Sequence, residues 1–591
     1  MIARIDRVTV LCLAPAALLA VAGWLDRWVN EDGYIYLRIA DNVLAGNGPV
    51  FNAGERVEAY TGALWLAIVS LLGGLTRSFL ALEQLMVVLG LLFSVGGLAA
   101  AALGGLRIAR ARGAGTRVAP LGALVVAALP PFWDYATSGL ETGLAVGWLG
   151  ASFLVLTRWI APGTGPRGAM PAAVLIGLGP LVRPDLAVFA FAFGLALVAL
   201  ARPTVGGALR LGVAAVALPV AYQVFRMGYF GTLVPNTAIA KEASSAFWSR
   251  GADYAVNAVA PYALWFPVLG LLALLGAQLR RAPDRRVLIL SIAPIAAAAV
   301  HTFYVVRLGG DYMHARMLLP SILGLLLPVM VVALPPGRWA LAPVALVAAW
   351  ALVCAIGLRA PADPASPPAA QRFLDQRRKR EPPPGHSHFV TLADYDPVPF
   401  SQPYVGRQLR RIARQDPGSV VFEYVRVRTT LEGRSLPVRQ PVAAPGLRSR
   451  RPWRSGTIAY TGSIGRVGYA AGERVWLVDR LGLADPVASR LRLEGRRRGL
   501  AGHEKSLPVP WFLARVAVAG PLPRAARRVT TEREVGAARR ALRCGGLRDV
   551  LAGATAPLST GRFLDNLGLA WRERSLRVPA DPVAAERELC D

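Results

Sequence analysis

The chain has 591 residues, of which 54% are hydrophobic, and its formal net charge is +29. A soluble globular protein does not bury so much apolar surface, so the composition excludes an ordinary soluble enzyme and indicates a membrane protein. Nearly all of the positive charge is arginine, which suits contact with anionic lipid or lipid-linked phosphate. Nucleic acid is not an expected partner of a chain embedded in a membrane.

The first apolar run, residues 8–25, is long enough to span a bilayer, and an acidic pair follows it. Carboxylates just outside a membrane helix can act as a general base or bind a cation, so Glu31 and Asp32 are candidate catalytic residues. The pair can equally be part of a solvated loop, or Asp32 can cap a helix.

The next apolar run, residues 62–76, is ambiguous. Arg4 and Arg7 place the chain's start in the cytoplasm, and the four arginines of the loop 107–117 place that loop there too. Only an even number of crossings fits between them, and 8–25 and 83–106 supply two. The run 62–76 is therefore predicted to lie along the membrane surface as a juxtamembrane helix.

The later apolar runs complete a polytopic α-helical membrane protein with about eleven crossings. The candidate spans after the first two are 117–133, 139–157, 170–182, 185–201, 207–224, 257–279, 286–304, 316–334 and 338–357. This count places the polar, glycine-rich loops on the outer face and plain arginine-rich loops in the cytoplasm. A lipid-linked sugar transporter should instead show functional loops on both faces and ionisable residues through the membrane. The one-sided pattern favours an enzyme.

Three outer loops carry candidate binding residues. Arg183 and Asp185 interrupt an apolar run, which indicates either function or a structural salt bridge. Lys241, the only lysine before residue 358, offers a compact charge for a phosphate, although the survival of a single lysine by chance is an equal alternative. The loop from Arg307 to Arg316 surrounds two glycines with charges, so it can cradle a phosphate or form an interfacial belt.

The composition changes after residue 358. We predict a membrane domain at 1–358, a Pro-rich linker at 359–385 and an outer soluble domain at 386–591. Alternating apolar residues at 419–427 and 475–479 predict strands, and 533–552 looks helical. Cys544 and Cys590 suit a disulfide in an oxidising compartment, the alternative being two unpaired thiols. Trp476 can stack on a sugar ring or belong to the core.

Cofactor signatures are missing from the sequence. The five histidines are scattered, and there is no P-loop and no dinucleotide fingerprint. No cofactor or metal is therefore expected, although the acidic pair is compatible with a divalent cation.

At this point the motifs resemble a known family. The run from Asp32 (Asp-Gly-Tyr-Ile-Tyr-Leu-Arg) to Trp65 is similar to the first outer loop of GT-C glycosyltransferases that use polyprenyl-phosphate sugars. Ser-Gly-Leu-Glu-Thr, Arg-Pro-Asp, Pro-Asn-Thr and Gly-Gly-Asp-Tyr-Met-His-Ala-Arg follow in the same order, and Val475–Pro486 and Gly502–Lys505 match in the soluble part. The chain most resembles the actinobacterial arabinofuranosyltransferases of cell-wall synthesis.

This resemblance implies a reaction. The donor would be decaprenyl-phosphate arabinofuranose, and the acceptor the non-reducing end of arabinan in arabinogalactan or lipoarabinomannan, with a terminal β-(1→2) link formed on the outer face of the plasma membrane. Transfer of mannose or an aminosugar is the alternative within the same superfamily. The soluble domain would resemble a carbohydrate-binding module.

The resemblance also implies roles for residues. Asp32 would be the general base, while Glu31 departs from the more usual Asp-Asp pair. The residues expected to bind the donor and its phosphate are Arg38, Glu141, Arg183, Asn236, Lys241, Arg307, Asp311, His314 and Arg316. The residues expected to contact the acceptor are Trp476, His503 and Lys505. Because donor and product are both taken as β-linked, the reaction retains configuration, and Glu31 and Asp32 could divide the roles of nucleophile and base.

Overall fold

The computed structural model describes most of the chain. The described residues are 6–161, 163–281, 284–334, 337, 341–359, 373, 388–396, 401–431, 434–449, 456–493, 502–516, 522 and 526–591. The predicted linker, apart from Arg359 and Phe373, lies outside them, and the domain boundaries remain predictions.

The first 358 residues are almost entirely helical. Their helices are α1 (Arg7–Leu25), α2 (Glu31–Leu44), α3 (Ala63–Thr76), α4 (Leu82–Ala111), α5 (Leu121–Ala128), α6 (Pro130–Ala136), α7 (Thr142–Leu156), α8 (Ala169–Gly177), α9 (Gly179–Val182), α10 (Ala187–Ala201), α11 (Val205–Phe230), α12 (Asn236–Ala240), α13 (Trp248–Val259), α14 (Trp265–Arg281), α15 (Arg285–Leu308), α16 (Leu319–Leu326) and α17 (Ala342–Ile356). Strands β1 (Val118–Ala119) and β2 (Val332–Ala333) pair antiparallel.

The helices confirm a multi-pass membrane protein. Among the described residues six helices are long and apolar enough to span a bilayer, or seven if α13 and α14, bent by 87°, form one span. Four further apolar helices are shorter, and α3 is one of them. A count of about eleven crossings needs several of these short or broken helices, so it remains a prediction, as does the surface position of α3.

Glycines let the spanning helices pack closely. A Cβ added to Gly143 would overlap the carbonyl oxygen of Gly90, and one added to Gly150 would overlap that of Gly97. The backbones of α4 and α7 therefore touch at two levels. Lipid tails give apolar helices little reason to associate, so such close van der Waals contact is what holds them together.

The C-terminal domain is a mixture of helices and strands. Its elements are α18 (Gln402–Gln415), β3 (Ser419–Leu431), β4 (Arg434–Arg448), β5 (Thr457–Thr461), α19 (Gly465–Ala471), β6 (Val475–Asp479), α20 (Val509–Val516), α21 (Glu532–Ala541), α22 (Gly545–Thr555), α23 (Thr560–Arg572) and α24 (Pro582–Cys590). The sheet order is β4-β3-β5-β6, with β4 antiparallel to β3 and the others parallel.

Three sequence predictions for this domain are confirmed. The predicted strands coincide with β3 and β6, and 533–552 falls on α21 and α22. A disulfide joins Cys544, before α22, to Cys590 at the end of α24. The domain contains more helix than the strand pattern indicated, and its likeness to a carbohydrate-binding module remains a prediction.

Arg38 fastens this domain to the membrane half. Its buried guanidinium on α2 donates to the carbonyl oxygens of Phe51 (2.8 Å), Gly468 (2.5 Å) and Val475 (2.6 Å). The Asn52 amide adds bonds to both backbone groups of Leu477. The helix α2 and the loop after it thus form the surface against which α19 and β6 pack.

Candidate active site

A cavity of about 760 Å³ lies between the membrane helices and the C-terminal domain. Its walls come from α2, the loop before α10, the turn after α11, the loop after α15 and the segment following α23. The outer-loop motifs therefore meet in space. Five of the nine residues predicted to bind the donor line the cavity: Glu141, Arg183, Lys241, Asp311 and Arg316.

Asp32 lines the cavity from the start of α2. Asn30 caps this helix, its side-chain oxygen accepting a hydrogen bond of 2.9 Å from the Asp32 backbone N–H. Such a cap fixes the first turn and hence the direction of the Asp32 side chain. The carboxylate lies within electrostatic reach of Tyr312 and Arg316. The Asp32 carboxylate therefore lies at the cavity wall close to the Arg316 cation.

Glu31 points away from Asp32. Its carboxylate accepts hydrogen bonds from the backbone N–H groups of Gly465 (2.9 Å) and Arg466 (3.1 Å), with an Arg466 guanidinium nitrogen at 3.7 Å. These N–H groups begin α19, where a negative charge is favourable. Glu31 does not line the cavity, so the two acids have different surroundings.

Arg183 lines the cavity, and its side chain is held by a buried carboxylate. Its Nε and Nη2 atoms donate to the Asp185 carboxylate at 3.0 and 2.7 Å, and His301 Nε2 lies 2.7 Å from the same carboxylate. The Arg183 side chain is 3% exposed, yet its Nη1 has no hydrogen-bond partner among the described residues. A buried unpaired donor is costly, so this guanidinium keeps spare hydrogen-bonding capacity at the cavity wall. Arg183 therefore forms the structural salt bridge with Asp185 and also lines the cavity, so the two alternatives from the sequence are compatible.

Glu141 stands next to Arg183. Its Oε1 is 3.9 Å from the Arg183 Nε, and its Oε2 accepts a hydrogen bond of 3.1 Å from the Tyr36 hydroxyl. The Tyr36 hydroxyl in turn accepts from the Gly62 N–H at 2.9 Å. This chain of bonds holds the carboxylate in place at the cavity wall.

Asp311, Arg316 and Lys241 form a second charged cluster. Arg316 lies 2.6 Å and Lys241 3.7 Å from the Asp311 carboxylate. Burial alone raises the pKa of Asp311, but the two cations outweigh burial and lower the pKa to about 2. The cluster therefore carries one net positive charge, which suits a phosphate group. Gly310, at a φ of +71°, approaches the Tyr254 ring too closely for a Cβ.

The other predicted donor-binding residues make protein contacts outside the cavity. Arg38 fastens the domains, and the Asn236 amide donates to the carbonyl oxygens of Gly482 (2.8 Å) and Leu483 (3.0 Å). Arg307 donates to the Ser244 carbonyl at 2.9 Å. His314 is held by Tyr262 and Asn257, and burial lowers its pKa to about 4, so its ring is neutral. These residues position the site's loops.

The predicted acceptor contacts also lie behind the cavity wall. Trp476 is buried in β6 with the Arg515 guanidinium over its ring. The His503 ring packs edge-on against Tyr312, with centroids 4.7 Å apart. Lys505 is buried and lies 2.5 Å from Glu242. His503 thus supports the loop that carries Asp311.

Sequence reasoning missed the contribution of the chain's last 25 residues. Glu573, Arg574, Ser575 and Arg577 line the cavity. Arg577 donates to the Glu242 carboxylate at 2.9 and 3.0 Å. The one sequence feature that pointed to this part of the site was the position of Glu242 next to the unusual Lys241. Nothing in the sequence indicates that either residue contacts Arg577.

Known proteins resemble this chain over nearly its whole length. The AftB family C-terminal domain matches residues 450–588. A terminal β-(1→2)-arabinofuranosyltransferase of Mycobacterium tuberculosis is 33% identical over 614 aligned residues, covering 96% of this chain and 95% of that protein. A protein of the same name from Corynebacterium glutamicum is 34% identical over 613 aligned residues, covering 95% of this chain and 84% of that protein. No solved structure matches. The chain belongs to the family of terminal β-(1→2)-arabinofuranosyltransferases.

Proposed function

We propose that this protein transfers arabinofuranose from decaprenyl-phosphate arabinose to the non-reducing end of cell-wall arabinan, forming terminal β-(1→2) links. The observation that carries the proposal is the presence, on the walls of one cavity, of the Asp32 carboxylate and the Arg183 guanidinium. The first can accept a proton from a sugar hydroxyl, and the second can donate to a phosphate oxygen.

The charged clusters support departure of the phosphate. When the bond from the anomeric carbon to the phosphate oxygen breaks, the electron pair stays on the phosphate. Arg183, Arg316 and Lys241 then face the added negative charge, and their fixed positions lower its energy in the transition state. The proton of the acceptor hydroxyl passes to Asp32. We expect these side chains to act without a cofactor.

The separation of the acidic pair bears on stereochemistry. A covalent intermediate on Glu31 would require its carboxylate to leave the N–H groups of α19 and enter the cavity. We propose instead that the acceptor attacks through an oxocarbenium-like ion pair, on the face from which the phosphate leaves, with Asp32 as base. Retention then needs no second carboxylate as nucleophile.

The C-terminal domain supplies part of the substrate path. Arg490, Ser575 and Arg577 bring hydrogen-bonding groups to the cavity from the C-terminal domain, on the side opposite the membrane helices. We propose that arabinan approaches along this side, on the outer face of the membrane. Membrane-impermeant labelling of single cysteines placed in the loops 107–117 and 309–316 should report opposite sides; labelling from one side would refute this orientation.

The central test compares two neighbouring acids. Purified full-length protein in lipid nanodiscs is given decaprenyl-phosphate arabinose and a synthetic arabinan acceptor. We expect Asp32→Asn to lower kcat by roughly a hundredfold or more, the usual contribution of a general base. Glu31→Gln, the matched control, should retain more activity because it lies outside the cavity. Wild-type rates for Asp32→Asn, or transfer of mannose in place of arabinose, would overturn the proposal.

A further inference from the structure

The outer surface of α23 has no part in the proposed transfer. Leu564 is 60% exposed and Trp571 56% exposed. They lie seven residues apart on α23, hence on the same side of the helix, with Gly568 between them. Leu558, just before the helix, is exposed as well. Exposed apolar residues grouped on one side of a helix are typical of a surface that contacts a membrane or a partner.

The opposite side of α23 is fixed to a spanning helix. The Asn566 amide donates to the Gly228 carbonyl at 3.0 Å. Phe563 fills the space where Gly228 lacks a side chain, and Leu569 approaches Gly231. These contacts all lie in the last turn of α11 and its C-cap, so α23 is attached where α11 ends.

The surroundings of α11 locate this attachment in the membrane. α11 has 26 residues and is about 39 Å long, which exceeds a hydrocarbon core of about 30 Å. Its exposed apolar residues include Val205, Leu209, Val213, Val216, Val220 and Val224. Lipid must cover them. The final turn of α11 then emerges among the head groups, and α23 lies beside it at the same level.

We propose that α23 is an interfacial helix whose stripe of Leu564 and Trp571 rests in the lipid. α23 packs on the side of α11 that carries the exposed valines, because Gly228 and Gly231 follow Val220 and Val224 at helical spacing. Tryptophan is favoured at the boundary between head groups and acyl chains. Arg572, next to Trp571 and exposed, supplies a cation for lipid phosphates. The partner surface is therefore an outer-leaflet bilayer with anionic head groups.

This docking also reaches the cavity. Ala570, Glu573 and Arg574 line it from the same segment that carries Trp571. Contact with lipid would hold one wall of the cavity at a fixed depth in the membrane. The docking itself depends on α11 spanning the bilayer and not on the identity of the transferred sugar.

A depth measurement tests the proposal independently of enzymatic activity. Full-length Leu564→Cys is labelled with the fluorophore NBD, reconstituted in phosphatidylcholine–phosphatidylglycerol liposomes and exposed to doxyl-labelled lipids. We expect quenching several-fold stronger than for Val529→Cys, a residue of the same domain that is 62% exposed. Equal quenching at the two positions would overturn the proposal, whatever the transfer assay shows.

A second variant guards against local distortion by the label. The double variant Leu564→Ser, Trp571→Ser should transfer arabinose several-fold more slowly in liposomes while matching wild type in detergent micelles. Normal rates in both settings, together with unchanged quenching of a label at Leu558→Cys, would mean that the stripe does not hold α23 on the bilayer.

Discussion

Replacing Arg38 by methionine should loosen the C-terminal domain from the membrane half. Methionine keeps the length of the side chain but removes all five N–H donors. The carbonyl oxygens of Phe51, Gly468 and Val475 then lose their donors inside a buried interface. Two of these carbonyls belong to the C-terminal domain, so the change acts mainly on docking.

The size of the effect follows from those three bonds. A buried acceptor left without a donor costs about 1–3 kcal/mol, so three would cost about 3–9 kcal/mol. Removing the buried charge of Arg38 returns part of this, because it has no ion-pair partner among the described residues. We therefore expect the docking free energy to fall by about 3–6 kcal/mol.

Hydrogen exchange measured by mass spectrometry in detergent reports this loosening directly. Amides of α19 and β6 should exchange about a hundredfold to ten-thousandfold faster in Arg38→Met, since each 1.4 kcal/mol is about tenfold. Arg410→Met is the matched control, because Arg410 donates a bond of 3.3 Å to Ala471 within the C-terminal domain, between α18 and α19, and not across the interface with α2. Unchanged exchange in Arg38→Met would refute the proposed clasp.

Three further outcomes are expected. Burial, opposed by Glu242, lowers the pKa of Lys505 from 10.5 to about 8. Between these pH values the Lys505 side chain binds a proton in the unfolded chain but not in the folded one, so its contribution to the free energy of unfolding should rise with pH. Thermal unfolding should show this rise in the wild type and not in Lys505→Arg. Cys590→Ser removes a disulfide that joins residues 46 positions apart. Calorimetry should show that the free energy of unfolding falls by roughly 2–4 kcal/mol. Reductant should lower the free energy of unfolding of the wild type but not that of the variant. Adding EDTA should leave transfer rates unchanged; loss of activity restored by a divalent cation would contradict cofactor-free transfer.

The sequence predicted which loops carry polar groups but not what each side chain touches. Parity and arginine placement assigned five motifs to one face, and Asp32 and five predicted donor-binding residues do line the cavity. The separation of Glu31 and Asp32 follows from helix geometry, because neighbouring residues on a helix point about 100° apart. The sequence leaves open a solvated loop or an N-cap at Asp32; in the structure Asn30, also a typical N-cap residue, caps α2.

Long-range partners explain the remaining differences. The resemblance implied that Arg38 binds the donor; in the structure its carbonyl acceptors on Gly468 and Val475 lie more than four hundred positions later. Arg577 reaches the cavity only through the packing of α23 on α11. Hydrophobic periodicity reports which face of a helix is buried, but not against which distant segment it packs.

The position of α2 has a consequence for inhibition. One short helix carries Asp32 into the cavity, caps α19 through Glu31 and clasps β6 through Arg38. A molecule wedged between α2 and α19 would therefore disturb the acid without competing with either substrate. The same arrangement means that a chain cut after residue 358 would retain Asp32 but lose the contacts that orient α2. The membrane half is therefore not expected to be active without the C-terminal domain.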